Sequence, residues 1–491
     1  MKIIINRDVN IPIYQQIAFS IVHLIEIQEL ISGTKLPTER QLAIQLNVHR
    51  NTIIRAYSEL IDKGFVQVSR KKPKGYFVGS YISQNFSQRF FPLEKAFRYE
   101  YRRAEKKFNG IYCESDDEDA ISFGGMIMDK RIHILEGIET AMNKMINITK
   151  TGGLQSFIQE TTRLKENLCK KLALQNIFAL PKNIQIVAET NQAIAYLMML
   201  YVREGDYVIA EEPIIPDISS MFFNRGIHVV TVPIDDDGMN MEILEKQICK
   251  YKPKFIYTMP NFHNPTGIRM SLKKRQRLLE LASDYNVPII EDDYLCDFQY
   301  ADKNIPSLYS LDFNKLVVYV NSFTLTFPYG VKTGFVVGPS DFIDMLGYAI
   351  NIDETMIGNA SQFLINECME NDAFEQNMKS LRQYYHRKRD LLCDQLDKIK
   401  EKGISYNKPD GGLVIWCTLS EEINERSLYK VARSKNVIVN PGWLFFINKQ
   451  EQAGHIRLCF SNISDDKIVE GIALLGQALD ECRKNKSPKD I

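Results

Sequence analysis

The run His49-Arg50-Asn51-Thr52, with Arg55 one turn further on, sets five hydrogen-bond donors at the start of an apolar-periodic segment. Donors of this kind can read a nucleic acid. The Arg50 guanidinium matches the paired acceptors of a guanine edge, and Asn51 and Thr52 suit a base or a phosphate. Downstream, Arg70, Lys71, Lys72 and Lys74 precede Gly75-Tyr76 and form a basic hairpin tip suited to phosphates or the minor groove. Residues 1–80 carry 11 Lys and Arg against 6 Asp and Glu, although the 61 basic and 61 acidic residues of the whole chain cancel. Local basicity in a compact segment points to a polyanionic partner.

The elements that must carry these donors are legible as periods. Ile17, Ile21, Leu24 and Ile25 form one apolar helix face. Thr38 and Gln41 have capping-box spacing, which starts a short helix with Leu42, Ala43 and Leu46 inward. After a break at Asn47-Val48, a second helix buries Ile53, Tyr57, Leu60 and Ile61 and leaves His49, Arg50, Asn51, Thr52 and Arg55 outward. Two short helices joined by a tight turn fit a helix-turn-helix whose second helix enters the major groove. Residues 81–120 read as a linker with an acidic run at Glu114 and Asp116–Asp119. From 121 to 482, β-branched runs alternate with helical periods: IQIVAE (184–189), YVIAEE (207–212), FIYTMP (255–260), VPIIED (287–292) and KLVVYVNS (315–322). That alternation predicts an α/β unit with a mostly parallel sheet covered on both faces. LVIWCTL (413–419), VIVNPG (437–442) and HIRLCF (455–460) predict a smaller C-terminal α/β lobe, and 483–491 a disordered tail.

Residues 11–78 resemble the GntR-type winged helix. LPTERQLA stands where that family has L-P-S-E-R-x-L-A, and HRNT where it has S-R-x-T. The resemblance implies Arg40 and Arg50 as base readers, with Thr38, Thr52 and the wing lysines positioning the backbone. His49 departs from the serine that usually caps the second helix.

Beyond the linker, several stretches in order resemble a fold type I pyridoxal-phosphate aminotransferase. Joined to the head they resemble the MocR-type regulators, which fuse these two units. In PNFHNPTG (260–267), the resemblance implies that Asn264 donates to the cofactor's ring hydroxyl. In IIEDDYLCDFQY (289–300), it gives Asp292 the pairing with the protonated pyridine nitrogen and Tyr294 a contact with the ring hydroxyl. Asp293 is left as a surface or capping carboxylate. The family's Ser-Phe-Ser-Lys, three or four residues, then Pro-Gly-x-Arg-x-Gly, corresponds to SFTLTFPYGVKTGF (322–335). Aligned on Gly330 and Gly334 the lysine position is Leu325; aligned on Pro328 it is Thr324. Neither supplies an ε-amine for an internal aldimine. Lys332 replaces the arginine, and Ser322, Thr324 and Lys332 could hold an anion. The family's phosphate-cradling Ser-Gly-x-Gln-Gln becomes AETNQ (188–192), with Glu189 at the glycine position and Thr190 and Asn191 still able to donate. The ring-stacking aromatic corresponds to Ile215. HIRLCF matches the family's I-R-L-x-F strand, which implies that Arg457 grips a ligand carboxylate by its fork.

Composition narrows the classes. Hydrophobic residues make up 45% and charged residues 25% of 491, and no run of eighteen apolar residues could span a membrane. Arg7 and Asp8 interrupt the N-terminal apolar run, which is unlike a signal peptide. Nine cysteines without a C-x-x-C pair argue for a cytoplasmic protein without a disulfide framework or a metal site. The expectation is a homodimeric regulator of transcription that binds double-stranded DNA and senses a small amino-acid-like or carboxylate ligand without catalysis. Pyridoxal 5′-phosphate enters by resemblance only, with covalent attachment not expected and Glu189 opposing its phosphate. The alternative is a pyridoxal-phosphate aminotransferase with an attached DNA-binding module.

Overall fold

The computed structural model describes residues 3, 5, 12–26, 30, 33–69, 74–79, 120–129, 138–151, 154–301, 305–327, 330–353, 358–371, 373–447 and 454–484. The wing residues Arg70, Lys71 and Lys72, the segment 81–119, Pro328 and the tail from 485 lie outside the described residues. The chain divides into two compact units, Met1–Arg98 and Tyr99–Ile491. Among the described residues no helix is long and apolar enough to cross a membrane.

The first unit is a winged helix. Helix α1 (Ile13–Glu26), α2 (Glu39–Leu46) and α3 (Arg50–Asp62) precede β1 (Val66–Ser69) and β2 (Gly75–Val78). The two strands pair antiparallel from Val66↔Val78 to Ser69↔Gly75. The expected apolar stripes meet here: Ile17, Ile21, Leu42, Ile53, Tyr57, Leu60, Phe65, Val66 and Val78 share one buried core. Thr38 Oγ1 accepts from the Gln41 amide at 3.3 Å, and Gln41 Oε1 accepts from the Thr38 amide at 2.9 Å. Those two bonds satisfy donors that a helix start leaves open. Asn47 ends α2 in the left-handed region at φ 49°, a conformation asparagine tolerates. His49 does cap α3, its Nδ1 accepting from the Asn51 amide at 3.2 Å. An imidazole acceptor thus replaces the expected hydroxyl.

The second unit holds β3 (Ile121–Ser122), β4 (Ile184–Val187), β5 (Tyr207–Glu212), β6 (His228–Asp235), β7 (Gly238–Met239), β8 (Ile256–Thr258), β9 (Ile289–Asp292), β10 (Val317–Ser322), β11 (Gly334–Val337), β12 (Ile404–Tyr406), β13 (Val414–Leu419), β14 (Val437–Ile438), β15 (Asn440–Pro441) and β16 (His455–Cys459). Eight strands form the main sheet in the order β4-β11-β10-β9-β8-β5-β6-β7. The run from β10 to β6 is parallel, as the alternation predicts. One departure from the parallel order stands out: β11 inserts antiparallel between β10 and β4. A Cβ on Gly334 at its start would lie 2.9 Å from the Asn321 carbonyl and 3.1 Å from Glu189 Cα, so only glycine lets three strand ends converge there. The smaller lobe is a four-stranded sheet, β12-β13-β16-β15, and β3 pairs parallel with β14 beside it.

Candidate functional site

On the head, Arg40, Arg50, Asn51 and Lys74 are exposed and Thr52 is half-buried. Arg50 Nη2 stands 3.2 Å from Glu39 Oε2, and the Tyr76 hydroxyl donates to Glu39 Oε1 at 2.6 Å. Those two donors hold the Glu39 carboxyl below its ordinary range. Recognition helix and wing are thereby pinned to one carboxylate of α2. Arg55 lies over the Tyr14 ring at 4.0 Å, and the Thr38 and His49 side chains are spent as caps. Thr38, Arg40, His49, Arg50, Asn51, Arg55 and Lys74 are thus all exposed, and four of them (Thr38, His49, Arg50 and Arg55) also serve the head's own structure.

In the second unit, β9 ends at Asp292, β10 ends at Ser322, and the helix Thr190–Tyr201 begins beside them. Their ends converge on a cavity of about 640 Å³ at the carboxyl edge of the parallel strands, where α/β sheets place ligands. Thr190, Asn191, Asn264, Asp292, Tyr294, Ser322, Thr324, Leu325, Lys332 and Arg457 all line it, together with Glu189, Ile215, Met126 and Phe445. The ten expected residues are brought together; Met126 and Phe445 carried no motif signal.

Asp292 is 1% exposed, and its Oδ2 accepts from the Tyr257 hydroxyl at 2.8 Å. Its Oδ1 has no hydrogen-bond partner, nor does the buried Oγ1 of Thr324. Burial pushes the Asp292 carboxyl up to about 7, against the lowering pull of Tyr257. Arg457 donates from Nη1 to Asn264 Oδ1 at 2.9 Å and from Nη2 to the Gly124 carbonyl at 2.7 Å. Asn264 Nδ2 in turn donates to the Tyr294 hydroxyl at 3.0 Å. Arginine, amide and phenol thus form one hydrogen-bonded chain along a wall.

The opposite end differs. Glu189 occupies the N-cap of the helix Thr190–Tyr201 but makes no capping bond with its side chain. Its carboxylate pairs with Lys332 Nζ at 3.1 Å. The amine that lines the cavity, Lys332, stands half-exposed and ion-paired. Tested against pyridoxal phosphate, the ring end fits, because the unmet Asp292 oxygen suits a protonated ring nitrogen. The phosphate end does not fit, because a carboxylate occupies the helix start and has taken the nearest cation.

Asp293 corrects the surface expectation. It is buried, and accepts from Asn261 Nδ2 at 2.8 Å and the Tyr319 hydroxyl at 3.0 Å. Behind it the Arg275 guanidinium, fully buried, bonds Asn261 Oδ1 at 2.7 Å and the carbonyls of Pro260, Met270 and Pro306. Glu291, on the same strand, takes the Leu308 and Tyr309 amides at 2.8 Å each. These groups brace the strand end that presents Asp292. Arg275 sits in the run LKKRQRLLEL, which reads as a solvated helix face, so its role had no local signal.

Residues 132–475 match the family model described as aminotransferase class I and II, and residues 13–78 match bacterial regulatory proteins of the gntR family. Aromatic-amino-acid aminotransferase 1 of Thermococcus litoralis is 28% identical over 304 residues, 61% of this chain and 73% of that protein. The HTH-type transcriptional regulator YdfD of Bacillus subtilis is 25% identical over 480 residues, 96% of this chain and 97% of its own. The HTH-type transcriptional regulator NorG of Staphylococcus aureus is 24% identical, covering 88% of this chain and 97% of its own. Pyrococcus horikoshii kynurenine aminotransferase shares the fold at a TM-score of 0.70 and 24% identity, over 83% of this chain and 100% of that one.

Proposed function

The chain belongs to the class I and II aminotransferase family, and from that premise and its gntR-family head we propose that it regulates transcription by binding DNA and has left amino-group transfer behind. Two regulators similar over nearly their full length support the first half. The second half is carried by one observation. Thr324 and Leu325, the two candidates for the position of the capturing amine, line the cavity with a hydroxyl and a hydrocarbon. Leu325 is 6% exposed and packed in the main core, where it offers neither nucleophile nor base. Glu189 and Lys332 further disfavour the cofactor's phosphate. In this reading the large unit forms a homodimer that presents two heads to paired half-sites, and the cavity holds a small ligand without covalent chemistry.

Two measurements test it. Duplexes selected from genomic fragments should bind more tightly than scrambled ones by fluorescence anisotropy, with affinity falling as salt rises. Arg50→Ala should cost about 1–3 kcal/mol on the selected duplex, roughly a 5- to 150-fold loss, and much less on the scrambled one. Equal binding to both duplexes would remove the regulator reading. Separately, protein mixed with pyridoxal phosphate and reduced with borohydride should carry no adduct in the cavity; one mapped to Lys332 would restore covalent chemistry.

A further inference from the structure

The helix Glu425–Ser434, between β13 and β14, divides its side chains sharply between two faces. Leu428 and Ala432 join the main core. The helix's one acid, Glu425, is 2% exposed and turned inward, where it accepts from the Trp443 amide at 3.0 Å and the Gly454 amide at 2.9 Å. The face left to solvent carries Arg426, Ser427, Lys430, Arg433 and Ser434. Arg426, Lys430 and Arg433 stand at i, i+4 and i+7, the spacing that lines residues up along one side of a helix. At 1.5 Å of rise per residue the three cations run along about 10 Å.

Several exposed cations of the same unit are answered by carboxylates: Arg277 meets Glu245 and Glu280, Arg387 meets Asp465, and Lys467 meets Glu470. Arg426 and Lys430 have no carboxylate partner among the described residues. What steadies the arginines of this row is aromatic. The Arg426 guanidinium lies 5.5 Å over the Trp443 ring, Tyr429 stands edge-on to that ring at 5.6 Å, and Arg433 Nη1 donates to the Tyr429 hydroxyl at 2.9 Å. A ring holds a guanidinium without cancelling its charge. Every exposed side chain of the helix is a hydrogen-bond donor and none is apolar, so the face suits a polyanion and lacks the anchor that a lipid surface requires.

On the reading that this chain binds DNA through its head, we propose that the helix Glu425–Ser434 is a second DNA contact, which grips the phosphate backbone of duplex flanking the site that the head reads. Duplex DNA carries one charge per about 1.7 Å of its axis, so a row of this length faces roughly six phosphates. Arginine, lysine and serine side chains are the kinds that hold phosphate oxygens, and such contacts position a protein without reading sequence. Because both units belong to one chain, a duplex held by the head is offered to the large unit at raised local concentration. A few individually weak contacts then add measurably to the whole.

Fluorescence anisotropy of the full chain tests this with two duplexes, the selected site alone and the same site extended on each side by about 20 base pairs, two helical turns. Wild type should bind the extended duplex about tenfold or more tightly. The triple variant Arg426→Gln, Lys430→Gln, Arg433→Gln should lose that gain and keep the affinity for the short duplex. On the extended duplex it should also lower the slope of log affinity against log salt by about 2–3 for each copy of the helix engaged. The charge-preserving variant Arg426→Lys, Arg433→Lys should keep the gain, which separates charge from packing against Trp443. A wild type that binds both duplexes alike, or a gain that survives the glutamine variant, overturns the proposal and leaves the head's DNA binding standing. Equal losses on both duplexes, or a gain lost in the lysine variant, also overturn it, because the row would then support the fold and not flanking DNA. Binding to neither duplex by wild type overturns both the proposal and the reading beneath it.

Discussion

On the head, Arg50 keeps 48% of its side chain in water and is held by a single carboxylate of α2, whereas in the cavity Arg457 is 2% exposed and has committed both terminal nitrogens to Asn264 and Gly124. An exposed pair of the first kind is worth about 0–1 kcal/mol, so DNA can take Arg50 from Glu39 at small cost. Bonds of the second kind are made by giving up water, and a partner left unanswered there costs about 1–3 kcal/mol. The contrast teaches that the head can trade its contacts readily, while the cavity admits only a molecule that repairs what it disturbs. Salt competes with the first surface and hardly touches the second.

The contrast can be strained at its most buried point first. Arg275→Met strips a fully buried guanidinium from Asn261 and three carbonyls and leaves Asp293 and Glu291 without a nearby cation. Removing one partner of a buried charged set should destabilise by about 3–5 kcal/mol, read as a lower denaturant midpoint for the large unit. A loss under about 1 kcal/mol would mean water answers those groups and the interior is less demanding than described.

The next test is pH. The Asp292 carboxyl stands at about 7 in the folded protein against an ordinary 3.8, so folding takes up a proton between those values. Its contribution to stability is whole below about pH 4 and is lost as pH rises through about 7. Asp292→Asn has no such proton to lose. The melting temperature of wild type minus that of the variant should therefore fall between about pH 4 and pH 7 and level off above. A flat difference would show a carboxylate ionised throughout.

The smallest effect belongs to the head. Glu39→Gln frees Arg50 from its pair and should tighten binding to scrambled duplex by no more than about fivefold, read by anisotropy. Weaker binding instead would mean that Glu39 aims Arg50 at DNA.

The head is legible in local pattern because its bonds are local. Thr38 reaches Gln41, His49 reaches Asn51, and the stripe Ile53, Tyr57, Leu60 follows helical spacing. The cavity is legible in part, since its ten expected residues do converge. What the sequence hides there is pairing across long separations. Tyr257 meets Asp292, Lys332 meets Glu189, and β11 inserts between β10, which precedes it, and the distant β4. Asp293 was misplaced for a related reason. Alternation along a strand sends neighbours to opposite faces, but in a sheet covered on both sides neither face is water. A charged residue next to a site carboxylate is then as buried as its neighbour.

Gly124 gives the small lobe's arginine a grip on the polypeptide's upstream course. Its carbonyl is claimed by Arg457 and by Asn440 Nδ2, just past the β3 strand that pairs with β14. A carboxylate that claimed the guanidinium fork would take one of that carbonyl's two donors and leave its hold to Asn440 alone.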